Sequence, residues 1–198
     1  MLKNLSAPQA AFLLAALAVG SALLTNFVTY FPHTDNFPTL GGAPLLPGLY
    51  FGLVICIGVF LWEKRGPLEL LIVLVGVAIA WVLAYRTAIS VHNFLHDYVR
   101  IDDVTDPRKI SFNYAISGMV AGLVGSLVTV VAVSLASPGF REHSDWLRTI
   151  ALGTVTGALM HFGDGPNSTF LPLFIVWQAA VAASVAYGLV IPRQKRRR

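Results

Sequence analysis

The chain alternates six long apolar runs with short segments that hold nearly all of its charge, and no other feature limits its fold so sharply. The runs cover about residues 8–27, 46–62, 68–85, 113–135, 149–162 and 170–191. A helix needs about 20 apolar residues to cross the ~30 Å hydrocarbon core of a bilayer. In lipid a backbone must close its hydrogen bonds within the segment, so runs this apolar read as helices. The alternation of polar and apolar residues that a membrane barrel requires is absent. The expected fold is therefore all-α, a polytopic transmembrane bundle of about six helices in a single domain over residues 1–198. Only 12% of the residues are charged, about half the share usual in soluble domains.

Turn-forming residues divide the runs. Pro32, Pro38, Pro44 and Pro47 crowd the first connection, Gly66 and Pro67 the second, Pro138 and Gly139 the fourth, and Gly163 to Pro166 the fifth. Met1 leads the chain, so the first run reads as a span and not as a cleaved leader. The long third connection carries Val91, Phe94, Leu95 and Tyr98 at helical spacing, which extends the third helix past the membrane or along its surface. Trp62, Trp81, Tyr85, Trp146 and other aromatics near the span ends read as interfacial anchors.

Charge sets the expected orientation. Five of the 14 Lys and Arg residues are Arg193, Lys195, Arg196, Arg197 and Arg198, a tail over 192–198 that follows the last span. A basic cluster beside a span marks the cytoplasmic side and meets anionic lipid headgroups. With six spans and both termini cytoplasmic, ten basic residues fall inside and four outside. A short fifth run that failed to cross would give nine against five, so six spans are favoured narrowly. No aromatic or basic-faced domain accompanies the tail, which speaks against nucleic acid. The compact loops fit a bacterial inner (plasma) membrane.

Two patterns carry candidate function. The first is small residues at helical spacing: Ser117, Ala121 and Gly125 on one row, Gly118, Gly122 and Ser126 on the next, then Gly153 and Gly157 in the fifth run. Small residues four apart let membrane helices approach closely. The row can serve a hairpin within the chain, a homo-oligomer, or a larger membrane complex. Gln178, a strongly polar residue near mid-span, reads as glue between helices.

The second pattern is histidine. His92 and His96 stand four apart, so on a helix both rings project from one face. His161 follows Gly153 and Gly157 on one helical row, and Asp97 and Asp164 lie close by in sequence. Imidazole with carboxylate suits zinc, copper or iron, and paired histidines can hold haem. The plainer reading makes these solvated histidines at a membrane interface, since His92 to His96 lacks the Glu of a zincin-type motif. No catalytic triad, phosphate loop or Cys-x-x-Cys is present.

The residues point first to a small integral accessory or binding subunit that packs through its Gly- and Ser-rich helices. Two alternatives stand beside it: a metal- or haem-dependent membrane enzyme built on the His/Asp set, and a small-solute permease or channel. The sequence leaves open whether the protein is an enzyme.

Overall fold

A computed structural model describes residues 5–30, 39–40, 42–97, 107–163 and 169–196, without the side chains of 28–30, 107–110 and 192–196. It contains six α-helices: α1 (Ala7–Tyr30), α2 (Leu46–Glu63), α3 (Pro67–Asp97), α4 (Pro107–Ala136), α5 (His143–Gly157) and α6 (Leu171–Arg196). A 3-10 turn (Ala158–Gly163) continues α5, and a two-strand ribbon, β1 (Thr39–Leu40) and β2 (Ala43–Pro44), precedes α2. The ribbon is antiparallel and pairs Leu40 with Ala43, and Gly42 supplies the positive φ of its turn.

Local chemistry starts and stops these helices. Pro8, Pro47, Pro67, Pro107 and Pro172 each sit in a first turn, where a missing N–H costs nothing. Ser6 precedes α1 with one half of a capping box: the Gln9 Oε1 accepts from the Ser6 N–H at 2.9 Å and from its hydroxyl at 3.0 Å. Lys64 ends α2 in the left-handed region at φ 53°, its N–H donating to the Phe60 carbonyl. Gly66 and Pro67 then turn the chain into α3.

Successive helices are neighbours and α6 returns to α1, so the six close into a ring, with α6 also leaning on α2. Core side chains include Phe51, Ile55, Trp62, Val133, Val181 and Leu189. Along α1 the buried positions Ala7, Ala10, Leu14, Ala18, Ser21, Ala22 and Thr25 form one stripe of mostly small residues, and α6 packs against that helix.

Among the described residues five helices are long and apolar enough to cross a membrane; α5 is not among them. Its 15 residues and the six of the 3-10 turn have a combined contour of about 34 Å. They run beside α4 throughout, with Trp146 bonded to Ser134 at one end and Met160 against Gly118 at the other. One sequence expectation changes here: Trp62 is a core residue at 1% exposure and so does not serve as a lipid-facing anchor. Trp146 and Trp81 are half-buried, the first donating to Ser134 at 3.0 Å and the second lining a cavity.

Candidate functional site

The bundle has two unlike ends. One gathers the turns after α2 and α4, joined where Glu63 approaches Gly139; we call it the basic end, after Lys64, Arg65, Arg141 and Arg148. The other holds the ribbon, the C-terminal half of α3, the start of α4 and the 3-10 turn.

At the basic end, polar side chains clasp three helices. Arg148 on α5 donates from Nη2 to Asp145 at 2.8 Å and to the Ser184 carbonyl at 3.0 Å, and from Nε to the Ser184 hydroxyl at 3.0 Å. Its guanidinium also lies 4.6 Å from the Tyr187 ring centre. The Thr149 and Ser184 hydroxyls meet at 2.7 Å. Asp145 is only 4% exposed and packs on Gly188, where a Cβ would come within 2.9 Å of its carboxyl carbon. Ser134 on α4 donates to the Phe140 carbonyl at 2.7 Å, while its own carbonyl accepts from Arg141. Sequence reading counted Arg141 and Arg148 only as loop charges.

The glycine rows lie between the ends. A Cβ on Gly122 would stand 3.0 Å from the Gly153 carbonyl carbon and 3.3 Å from the Gly157 Cα, and one on Gly157 would stand 2.8 Å from the Gly118 carbonyl carbon. Gly118, Gly122, Gly153 and Gly157 thus face one another across α4 and α5, within the chain. Gly125 does not join them: its neighbours are Ala84 and the Trp177 ring. Gln178 is fully buried and donates to the Thr25 hydroxyl at 3.2 Å, linking α6 to α1, while its Oε1 has no partner.

At the other end the helices part around a cavity of about 410 Å³, within the range of small-molecule sites. Trp81, Ala84, Tyr85, Ala88, Ile89 and His92 line it from α3. Tyr114, Gly118, Ala121 and Gly122 line it from α4, and Phe170, Leu173, Phe174 and Trp177 from the start of α6. Met160 closes it from the 3-10 turn and Pro44 from the ribbon. Beyond Tyr114, α4 offers small side chains, Gly118, Ala121 and Gly122, where α3 and α6 offer rings, and these are held by a Trp81–Phe174 contact at 5.7 Å. Among the described residues no Lys, Arg, Asp or Glu lines it. Three lining residues carry a buried ring nitrogen without a hydrogen-bond partner: Trp81 Nε1, Trp177 Nε1 and His92 Nδ1. A buried donor left bare costs about 1–3 kcal/mol. At its rim, Asn113 donates to the His92 carbonyl at 3.4 Å and accepts from Ser117 at 3.2 Å, tying α3 to α4.

The histidines have different surroundings. His92 lies against Tyr114 with ring centres 4.7 Å apart, whereas His96 and Asp97 are exposed. His161 keeps its Nδ1 2.9 Å from the Ala158 carbonyl and its ring 4.0 Å from that of Phe162. The row through Gly153 and Gly157 stops at Gly157, because the 3-10 turn carries His161 about 80° further round than an α-helix would. Met160, and not His161, reaches the cavity beside His92. Asp164 lies outside the described residues. Among the described residues no three His, Cys, Asp or Glu side chains form a group able to hold a metal ion.

Sequence reading missed the cavity. Its signal was present only in part, as large rings at 81, 174 and 177 and small residues at 84, 88, 118 and 121. Comparison of the chain with protein-family models, curated proteins and solved structures finds no match.

Proposed function

We propose that this polytopic helical protein has a binding role in the membrane and receives a small lipophilic molecule in the cavity between α3, α4 and α6. The observation that carries this is the cavity itself: about 410 Å³, walled by apolar and aromatic groups with Asn93 as the one amide among the described lining residues, in the half of the bundle away from the basic end. Sites of this kind usually pair an apolar wall with a few polar groups that orient the ligand. In the orientation suggested by Lys and Arg, the basic end faces the cytoplasm, the tail meets anionic headgroups, and the cavity lies toward the outer leaflet.

An accessory role in a larger complex is compatible with this reading. The glycine rows are occupied by the chain's own α4–α5 contact, so a partner or second copy would dock on other faces.

Native mass spectrometry from a mild detergent tests the binding role. The wild-type chain should retain a neutral lipophilic adduct. Ala88→Phe and Ala121→Phe each place a ring in the cavity, and each should retain about tenfold less, equivalent to roughly 1.4 kcal/mol of affinity. Equal retention by both filled variants, with melting temperatures unchanged, would place the ligand elsewhere and sink the proposal.

A further inference from the structure

We infer that the cavity selects a neutral lipophile bearing carbonyl oxygens, the chemistry shared by a quinone ring and a fatty ester. This rests on the binding role proposed above and names its ligand class.

The wall argues for it in three steps. First, none of the described lining side chains is a Lys, Arg, Asp or Glu, and a charged ligand stripped of water needs a partner charge, so among these groups a carboxylate or an amine is disfavoured. Second, Trp81 and Trp177 carry indole N–H groups that can only donate, and neither has an acceptor in the protein. Trp177 is 7% exposed, and it sits where α4 presents Gly125 with the Cζ2 edge of the indole facing that glycine. A pure hydrocarbon would leave these donors bare; a carbonyl oxygen accepts from them. Both indole nitrogens are covered in the structure, so on this inference the ligand gains them by a turn of the indole rings in the cavity wall. Third, His92 stands among the lining residues with Nδ1 unpartnered. Neutral imidazole can donate or accept there, so it suits a second oxygen or a hydroxyl.

Equilibrium dialysis of the purified protein tests the class with four probes of one chain length: decylbenzoquinone, methyl decanoate, decylbenzene and decanoate. Ala121→Phe serves as the blank for detergent partition. We expect at least one of the two carbonyl probes to bind about tenfold tighter than decylbenzene, and decanoate to bind no better than decylbenzene. Trp177→Phe keeps a ring but removes the N–H, and Trp81→Phe does the same on α3. At least one of them should cut the carbonyl preference to about threefold or less. The tighter of the quinone and the ester identifies the source of the carbonyl. Decylbenzene binding as well as both carbonyl probes, or decanoate binding best, overturns the inferred class while the cavity reading stands. A preference untouched by both tryptophan variants also overturns it. If no probe exceeds the Ala121→Phe blank, the binding role itself fails.

Discussion

The two ends of this bundle solve the same problem differently. Each must join helices where the chain turns back, and each places polar groups out of water. At the basic end Arg148, Asp145, Thr149 and Ser184 bond one another, and Ser134 bonds the turn that follows α4. At the other end His92, Trp81 and Trp177 each keep a bare nitrogen beside a cavity. Unpartnered atoms alone do not separate the two, because Trp62 Nε1, Arg65 Nε and Ser137 Oγ are also bare. The difference is room. Trp62 is 1% exposed and closed in by the core, whereas the other three nitrogens, themselves covered, belong to residues that line a cavity of about 410 Å³. Bare donors in a packed core are a tolerated cost. Bare donors around a hollow invite a ligand, and helices that part around one give up packing that a purely structural bundle would keep.

The largest effect should come from breaking the clasp. Arg148→Leu removes one ionic partner of Asp145, whose residue is 4% exposed, together with two bonds to Ser184. Breaking a buried ion pair by removing one member costs about 3–5 kcal/mol. Because the Arg148 side chain is 32% exposed, about 3 kcal/mol is expected, read as a lower midpoint in denaturant titration of the detergent-solubilised protein. A loss below about 1 kcal/mol, the level of a surface pair, would mean that the basic end is not the rigid one.

The seam between the ends comes next. Gly122→Leu and Gly157→Leu each drive a side chain into the facing backbone, where even a Cβ would lie 3.3 Å from the opposing glycine Cα. Overpacking of this kind costs about 1–3 kcal/mol, measured by the same titration. Gly20→Leu is the control, since nothing lies within 4 Å of a Cβ there. It should change stability by less than about 0.5 kcal/mol. Equal losses at Gly20 and Gly157 would refute the close approach of α4 and α5.

How much of this was legible depends on the range of the cause. The all-α transmembrane bundle follows from run length and hydropathy, and α3 continues to Asp97, in keeping with the helical spacing of Val91, Phe94 and Leu95. The glycine rows could be read because a spacing of four is already a geometric statement about one helix. The clasp could not. Arg148 and Ser184 are 36 residues apart, and their meeting depends on the register of α5 against α6. The cavity was hidden for a related reason: on a helix apolar all round, sequence does not distinguish the face toward lipid from the face toward a hollow. His161 was placed on the wrong row because six residues adopt a 3-10 path that their composition does not announce. The ribbon was hidden among prolines that read only as breakers.

The smallest effect on stability, and the sharpest on the comparison, is expected at His92. Its Nδ1 has no partner, and its ring rests on Tyr114 at 4.7 Å. His92→Phe retains the stacked ring and deletes the bare nitrogen. Removing a buried polar atom that was never satisfied is close to neutral or stabilising, so the denaturation midpoint should move by less than about 0.5 kcal/mol, on the stabilising side if at all. Arg148→Leu in the same assay supplies the contrast of about 3 kcal/mol expected for the end where every bond counts. A loss of 2 kcal/mol or more in His92→Phe would show that the imidazole nitrogen is engaged in the folded protein. The cavity end would then be held by polar contacts as the basic end is, and its spare hydrogen-bonding capacity would no longer mark it as the place where a ligand belongs.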